Sequence, residues 1–256
     1  MTAPYFDKYD RKRAYHWGDY FGGIWRMNAY TKARYNLVLE CVRAAKLPAN
    51  ARILEVGCGD GALLGVLFIE LGVSVCGVDT NEVGLAQARK MFADKRLVGS
   101  FQHTTGYNTK LPDSSFDIVV CSDVIEHVDN PNAMLVEIRR LLIPGGRLII
   151  TTPIKNREKP ADPLHVQEWF VSEFKSLCNK VFGEPIESYS SHPLFWYELI
   201  SSANPWLVRA GRLITNLLTR FGHNPFLERR GAWRCYTTQT LVLQKCVGHF
   251  KPDQLK

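Results

Sequence analysis

Apolar residues along the chain form short runs that alternate with stretches of helical spacing. We predict a strand at each of five short apolar runs: 51–56, 73–79, 100–105, 116–122 and 147–153. Apolar residues three and four positions apart predict helices over 30–45, 62–72, 81–93 and 129–142. Strands that alternate with helices in this way predict an α/β fold, with a parallel sheet covered by helices on both faces.

The pattern changes after residue 153. Residues 171–182 predict one more helix, and 184–191 are compatible with a strand. The stretch 235–246 alternates and then becomes apolar, which indicates a final strand. We therefore divide the chain into an N-terminal cap (1–34), a core (35–190), a basic amphipathic insertion or lid (191–234), and a final strand with its tail (235–256).

Residues 204–221 of the insertion have a strongly two-sided pattern. The positions that share the apolar side are Trp206, Leu207, Ala210, Leu213, Ile214, Leu217, Leu218 and Phe221. The positions on the other side are Arg209, Arg212, Asn216 and Arg220. Three interpretations follow: a lid that packs its apolar side over a site, a basic helix on a membrane surface, or, with less support, a contact with nucleic acid.

Charge and composition narrow the class of protein. Residues 201–256 hold nine Lys or Arg and two acidic residues, which accounts for the whole net charge of +7. No apolar run reaches the roughly 18 residues that a membrane-spanning helix needs, and the polar N-terminus predicts a cytoplasmic protein, with the basic segment as a peripheral membrane contact. The seven cysteines include no CxxC pair, which disfavours a zinc site and favours reduced thiols.

A glycine-rich loop follows the first strand. Gly57, Gly59 and Gly61 let the backbone turn sharply and approach a ligand, and their GxGxG spacing differs from the GxGxxG of dinucleotide-binding loops. Asp79 ends the next strand, where its carboxylate can accept both hydroxyls of a ribose. The alternative role for Asp79 is the N-cap of the following helix.

Four stretches in order resemble the successive motifs of class I S-adenosylmethionine-dependent methyltransferases of the type 11/23 group. They are ILEVGCGDG, GVDTNEVGLAQAR, LPDSSFDIVVCSDVIEHVDNP and LLIPGGRLIITTP. The resemblance covers about residues 35–182. It implies a Rossmann-like sheet of seven strands, the last one antiparallel, with helices on both faces and a helical insertion or lid before the last strand.

The resemblance also implies which residues bind S-adenosylmethionine. Glu55, Gly57, Cys58, Gly59 and Gly61 would line the methionine part. Asp79, with Thr80 beside it, would hold the ribose. Cys121 and Ser122 would flank the sulfonium. The chain departs from the family before LP, where many relatives carry an aspartate for the adenine amine: here Tyr107 could stack on the adenine and Asn108 could bond to it.

A second group of polar residues follows the fourth predicted strand. Asp123, Glu126 and His127 would share one face of a helix, and His165 follows the fifth strand. This set resembles the cation-binding residues of ubiquinone-pathway O-methyltransferases and small-RNA 3′-end 2′-O-methyltransferases. Three interpretations stay open: all four hold Mg²⁺ or another divalent cation, His127 or His165 acts as general base beside Glu126 without a metal, or the residues only start a helix.

The resemblance therefore predicts an S-adenosylmethionine-dependent methyltransferase. Our first hypothesis is O-methylation of a small-molecule, lipid-linked or glycan-linked acceptor. The alternatives are an RNA ribose 2′-O-methyltransferase and a non-catalytic cofactor-binding protein. The N-terminal aromatic segment, with Tyr15, His16 and Trp17, is expected to shape the acceptor pocket.

Overall fold

A mixed sheet forms the centre of the protein. The computed structural model describes residues 7–156, 160, 162–230 and 235–246. The strands are β1 (Arg52–Val56), β2 (Ser74–Asp79), β3 (Ser100–His103), β4 (Phe116–Ser122), β5 (Leu142–Pro153), β6 (Glu187–Pro193), the two-residue β7 (Arg229–Arg230) and β8 (Tyr236–Gln244). Their order across the sheet is β3-β2-β1-β4-β5-β8-β6-β7. The predicted seven-stranded sheet is confirmed, and β7 extends one edge by two residues.

Nine α-helices surround the sheet within the described residues. They are α1 (Lys8–Lys12), α2 (Tyr15–Phe21), α3 (Ala29–Ala44), α4 (Ala62–Leu71), α5 (Glu82–Asp94), α6 (Pro131–Leu141), α7 (Val171–Phe182), α8 (Leu194–Ser201) and α9 (Pro205–Arg220). One core layer packs α2–α5 against the sheet, and a second layer packs α6 and α7 against the other face. Helices therefore cover both faces, as predicted.

The order of the strands determines where ligands can bind. Strands β1 to β5 are parallel, and β1 lies between β2 and β4. The chain winds in opposite directions from β1, so the loops after β1 and β4 separate and leave a crevice at the carboxyl edge of the sheet. Helix α4, which follows β1, buries Leu63, Leu64 and Leu67 almost completely and fixes the loop before it.

The last strand inserts into the sheet. Strand β8 pairs antiparallel with both β5 and β6, which confirms the predicted antiparallel strand. The predicted strand over 147–153 begins earlier in the structure, because Leu142 already pairs with Phe116 before the register jumps to the Ile118–Arg147 pair. The intervening Pro144–Gly146 segment forms the irregularity.

Three helices were not predicted from the pattern. Helices α1, α2 and α8 are short, and α2 is aromatic rather than regularly amphipathic. Trp17 of α2 packs at Gly65 of α4, where an added Cβ would lie 2.1 Å from the indole ring. These helices are stabilised by tertiary contacts that a local pattern does not contain.

The predicted domain boundaries stay predictions. Residues 1–6 of the cap, 231–234 of the insertion and 247–256 of the tail lie outside the described residues. Within the described part of the chain, no helix has both the length and the apolar character needed to cross a bilayer. The insertion does contain two helices before the last strand, as expected, and of these α8 borders the cleft described below.

Candidate active site

Two connected cavities lie at the carboxyl ends of the parallel strands. The larger cavity has a volume of about 710 Å³ and the smaller one about 470 Å³. Tyr9, Gly57, Asp123 and His127 line both of them. The cleft is therefore continuous from the β2 side, past the glycine loop, to the loops after β4 and β5.

The glycine loop turns away from β1 with three left-handed residues. Gly57, Gly59 and Gly61 have φ angles of 77°, 49° and 72°, which residues with a side chain rarely adopt. The N–H of Gly59 donates to Asp79 Oδ2 at 2.7 Å, and the N–H of Asn81 donates to Asp79 Oδ1 at 2.8 Å. Asp79 therefore joins the glycine loop to the end of β2, and it lines the smaller cavity.

Asp79 is not the N-cap of α5. Asn81 caps that helix, because its side chain accepts from the N–H of Gly84 at 2.8 Å. Burial raises the pKa of Asp79, and the backbone N–H groups of Asn81 and Gly59 counteract part of that rise. The alternative role considered for Asp79 is thus taken by its neighbour.

The structure brings some of the predicted cofactor residues to the cleft and leaves others away from it. Thr80 and Tyr107 line the smaller cavity with Asp79, whereas Glu55, Cys58 and Ser122 line the larger one. The residues that line neither cavity are Gly59, Gly61, Asn108 and Cys121.

Two of those positions need a correction. The Cys121 side chain is completely buried in the core layer beneath α6 and α7, because its position in β4 directs it away from the cleft. Asn108 is exposed, and its carbonyl accepts from the Thr104 hydroxyl at 3.1 Å. Neither side chain lines the cleft, in contrast to the predicted contacts with adenine and the sulfonium.

Two ionisable side chains that line the larger cavity each have a buried polar atom without a partner. Glu55 Oε2 and Arg34 Nε are buried and have no hydrogen-bond partner. Burial raises the pKa of Glu55 well above its usual range, with Asp60 and Asp79 adding to the effect. Arg34 was missed from the sequence; the available signal is an arginine within the predicted helix 30–45 that packs on the core.

The N-terminal helices close over the glycine loop through Asp60. Its Oδ2 accepts from the His16 backbone N–H at 3.0 Å, and its carbonyl accepts from the Trp17 indole at 2.8 Å. The predicted segment therefore splits: Tyr15 and His16 line the larger cavity, but Trp17 is buried in the core. Asp60 stands inside the glycine motif, between Gly59 and Gly61.

Three of the four predicted metal ligands converge. Single ligand atoms of Glu126, His127 and His165 lie within 4.8 Å of one another, and the two imidazole rings are 4.9 Å apart. The 3₁₀ turn Ile125–His127 carries the first two, and backbone N–H groups of Val166 and Gln167 donate to the Glu126 carbonyl at 2.8 and 3.2 Å. We call these three residues the His–Glu cluster.

Hydrogen bonds orient each member of this cluster. His127 Nδ1 contacts the Leu164 carbonyl at 2.9 Å, and His165 Nδ1 contacts Glu168 Oε1 at 2.6 Å. Both contacts favour a proton on Nδ1, which in the neutral form of each ring leaves the lone pair on Nε2. Glu126 is fully buried; its Oε2 accepts from the Thr152 hydroxyl at 3.0 Å, and its Oε1 has no partner.

The fourth predicted ligand is used elsewhere. Asp123 pairs with Arg34 and accepts from the Thr151 hydroxyl at 2.8 Å, so both its oxygens are engaged outside the cluster. Burial acts to raise the pKa of Asp123, but the Arg34 charge and these hydrogen bonds lower it below its usual range. The predicted shared helix face does not form, because Asp123 precedes the 3₁₀ turn and has a φ of 53°.

Ionisation differs within the His–Glu cluster. Burial raises the pKa of Glu126 well above its usual range, and the negative charge of Asp123 adds to this. Burial lowers the pKa of His127, although its bond to the Leu164 carbonyl opposes the change. Burial therefore disfavours the charged form of both Glu126 and His127.

Comparisons with known proteins relate part of the chain to methyltransferases. Residues 54–150 match the family model of a methyltransferase domain. The chain is 31% identical over 139 residues to the mitochondrial ubiquinone biosynthesis O-methyltransferase of Schizosaccharomyces pombe, covering 53% of this chain and 50% of that protein. The ubiquinone biosynthesis O-methyltransferase of Cereibacter sphaeroides is 33% identical over 129 residues, covering 50% and 52%. The chain thus spans about half the length of these relatives.

The fold also matches a solved structure over most of the chain. Phosphoethanolamine N-methyltransferase 2 of Haemonchus contortus, in complex with phosphomonomethylethanolamine and S-adenosylhomocysteine, superimposes with a TM-score of 0.65 at 15% identity. The match covers 93% of this chain and 58% of that one. At this identity it shows the shared fold.

Proposed function

We propose, from the class I S-adenosylmethionine-dependent methyltransferase domain that the chain contains, that this protein methylates a hydroxyl oxygen of a small or lipid-linked acceptor. The observation that carries the proposal is the convergence of Glu126, His127 and His165 within 4.8 Å at the edge of the cleft. The relatives are named O-methyltransferases, which supports oxygen as the acceptor atom.

The cleft has groups suited to the ribose and to the methionine part of S-adenosylmethionine, whose sulfonium supplies an electrophilic methyl group. Asp79 in the smaller cavity is placed for ribose hydroxyls. At the other end, the unpartnered Arg34 Nε suits the carboxylate of the methionine part, and the unpartnered Glu55 Oε2 suits its ammonium group. Two buried polar atoms without partners, on opposite charges, fit a zwitterion.

The His–Glu cluster also fits a divalent cation, which we include in the proposal. Nε2 of His127, Nε2 of His165 and Oε1 of Glu126 are the free ligand atoms, and their outer hydrogen bonds orient them as in many metal sites. A cation there would lower the pKa of an acceptor hydroxyl. Asp123 does not belong to this set, because Arg34 and Thr151 engage it.

The same residues can act without a metal. A neutral His127 or His165 can accept the hydroxyl proton at Nε2, and its Nδ1 partner stabilises the resulting imidazolium. Both routes need the acceptor oxygen beside the cluster, and they differ in their response to chelation.

The experiment uses the purified protein, methyl-labelled S-adenosylmethionine and a panel of hydroxylated aromatic compounds with and without an isoprenoid tail. We expect label on an oxygen of at least one compound. Loss of transfer with EDTA and recovery with Mg²⁺ or Mn²⁺ supports the cation, whereas resistance to EDTA supports the histidine base. Bound cofactor without any transfer contradicts the proposal and favours a non-catalytic role.

A parallel arm with short RNA oligonucleotides tests the ribose-methylation alternative. Label on a ribose 2′ oxygen, with no label on the aromatic panel, contradicts a small or lipid-linked acceptor. In both arms, calorimetry with the cofactor alone confirms that the preparation is competent to bind it.

A further inference from the structure

Helix α9 packs against the body of the protein with its polar side. Its buried residues are Gly211, Thr215 and Asn216. Most of its apolar side is exposed instead: Leu213, Leu217 and Leu218 are half-buried, and no residue of α9 lines either cavity, so α9 does not bury this side over the cleft. The exposed fractions of the large apolar residues are 75% for Trp206, 49% for Leu207, 47% for Ile214 and 84% for Phe221, which directly follows the helix.

Specific contacts fix the helix in this orientation. The Asn216 amide donates to the Met27 carbonyl at 2.6 Å and the Ile24 carbonyl at 2.9 Å, and its oxygen accepts from the Ala29 N–H at 3.1 Å. Gly211 allows close approach of α8, since an added Cβ would lie 2.6 Å from a Leu199 carbon. Rotation of α9 to bury its apolar side would leave these buried polar groups unpaired.

The outward side of α9 is bordered by positive charge. Arg209 and Arg220 are exposed, and the Arg209 guanidinium lies 5.5 Å from the Trp206 ring centre. Arg212 is exposed too, but it influences Asp19 on the body of the protein. Residues 199–227 contain no Asp or Glu. An apolar strip that is bordered by arginines and lacks acidic residues complements a surface with an apolar interior and anionic groups on its outside.

We propose that the outward side of α9, together with Phe195 of α8, docks the protein on an anionic membrane surface. We call this set of residues the docking face: Phe195, Trp206, Leu207, Arg209, Ile214, Arg220 and Phe221. A helix of 16 residues is about 24 Å long, so α9 can lie in the interface with tryptophan and phenylalanine at its two ends. Arginines beside the strip reach the lipid phosphates.

The docking face adjoins the cleft through α8. Leu194, Tyr197 and Ser201 of α8 line the larger cavity, whereas Phe195 is 69% exposed on another side of the same helix. Docking therefore places the larger cavity close to the lipid. One consequence rests on the proposed function: the lipid tail of an acceptor stays in the bilayer while its hydroxyl group enters the cleft.

Vesicle binding tests the docking independently of any methyl transfer. The full chain is cosedimented with neutral phosphatidylcholine vesicles and with vesicles containing phosphatidylglycerol. We expect binding to the anionic vesicles that weakens with salt. The double variant Arg209→Glu with Arg220→Glu should bind at least roughly 30-fold more weakly, since each basic residue near such a surface contributes about 1 kcal/mol and the new carboxylates are repelled.

Matched variants control for charge and for apolar exposure. Lys46→Glu with Lys180→Glu changes the net charge equally at exposed sites outside the docking face and should retain binding. Trp206→Ser with Phe221→Ser should abolish binding and remove quenching of tryptophan fluorescence by brominated lipid. Val98→Ser changes another exposed apolar residue, at 73% exposure before β3, and should have no effect.

Several outcomes would overturn the docking proposal. Equal binding of the Arg209/Arg220 variant and the wild type to anionic vesicles is one. A second is that the wild type does not bind vesicles but dimerises with increasing concentration, and that the Trp206/Phe221 variant does not dimerise. The docking face would then be an interface between two copies of the chain. Preferential binding to single-stranded RNA through the same residues is a third. Unchanged calorimetric affinity for S-adenosylmethionine verifies that each variant is folded.

The link to the acceptor has its own readout. With an isoprenoid-tailed dihydroxybenzene in vesicles and its tail-free analogue in solution, the Arg209/Arg220 variant should lose transfer only to the vesicle-bound compound. Equal loss of transfer to the two compounds contradicts delivery from the bilayer. If the wild type binds vesicles but transfers methyl to neither compound, the proposed function is contradicted and the docking proposal is still supported.

Discussion

The two ends of the cleft are built in different ways. At the cofactor end, the backbone of Gly57–Gly61 and one carboxylate, Asp79, lie within 25 residues of each other along the chain. At the other end, the His–Glu cluster joins side chains from the loops after β4 and β5, and each depends on a separate orienting partner. The first end is a local motif, whereas the second is a tertiary arrangement.

This difference determines what substitutions should do. A site formed by backbone geometry tolerates side-chain changes that keep the turn. Its affinity for the cofactor is lost mainly when its single carboxylate is replaced. A site formed by converging side chains loses its chemistry when any one of them changes. The following predictions separate the two ends, in order of decreasing effect.

The largest effect is expected at the His–Glu cluster. Glu126→Gln keeps the size of the side chain but removes the carboxylate, so transfer to the acceptor should fall by about 10³-fold, a typical loss for acid–base or metal-assisted steps. Affinity for S-adenosylmethionine should stay within about twofold, because the cofactor groups lie elsewhere. Steady-state kinetics and calorimetry measure the two, with Glu187→Gln at an exposed position as control. A parallel loss of cofactor affinity would argue against two separable ends.

Asp79→Ala should have the converse effect. Two charge-assisted hydrogen bonds to a ribose contribute about 1.5–3 kcal/mol each, so cofactor affinity should fall by at least about 100-fold. The variant also loses the Gly59 N–H partner that positions the loop. Calorimetry tests this against Asp94→Ala on the exposed surface. Unchanged affinity in a folded variant would remove Asp79 from the cofactor site.

A smaller effect is expected on the stability of the protein, through a buried histidine, His192. His192 is fully buried between Ser191 and the Tyr30 carbonyl, and burial lowers its pKa to about 4, with the nearby Arg34 charge in the same direction. In the unfolded chain the imidazole of His192 has a pKa near 6.5, whereas in the folded protein its pKa is about 4. The free energy of unfolding therefore decreases as the pH falls below about 6.5. The loss between pH 7 and pH 5 should be about 2 kcal/mol.

Urea unfolding at several pH values measures this loss. His192→Asn removes the titrating group and retains a residue that tolerates the positive φ of 61°, so its stability should change less over the same interval. His103→Asn, at an exposed site, should follow the wild type. Identical pH dependence for His192→Asn and the wild type would contradict a buried neutral imidazole.

The smallest effect is expected for Cys121, which was predicted beside the sulfonium but lies in the core. Cys121→Ala should leave cofactor affinity unchanged within about twofold, since the thiol faces the core and not the cleft. Stability should fall by about 1 kcal/mol because a small buried group is removed. Calorimetry and thermal unfolding of the same sample give both values. A tenfold loss of cofactor affinity would return Cys121 to the sulfonium site.

Particular residues show how far the sequence could predict this molecule. The alternation of apolar runs was sufficient for β1 to β5, and three glycines with Asp79 marked the cofactor end, because both signals are local. Glu126, His127 and His165 could be proposed only as candidates, since their convergence depends on the loop carrying His165 folding back onto the 3₁₀ turn. Asp123 was misassigned because its partner, Arg34, is 89 residues away.

Helix α9 shows the same limit for packing. The pattern correctly placed Trp206 and Phe221 on one side and Asn216 on the other. It could not show which side faces the protein, because that choice depends on the carbonyls of Ile24 and Met27, which are 192 and 189 residues away from Asn216. Hydrophobic spacing predicts which residues share a face, and only tertiary contacts determine where that face points.

Tyr9 of α1 lies against the glycine loop and lines both cavities. Its hydroxyl lies 1.8 Å from the position where a Cβ on Gly59 would stand. For a cofactor that spans both cavities, we predict that α1 moves during entry and exit, so association should reach a concentration-independent limit in stopped-flow measurements. Bound cofactor should also slow amide hydrogen exchange across α1 and α2, so that residence time is controlled by the N-terminal helices as well as by the strength of binding.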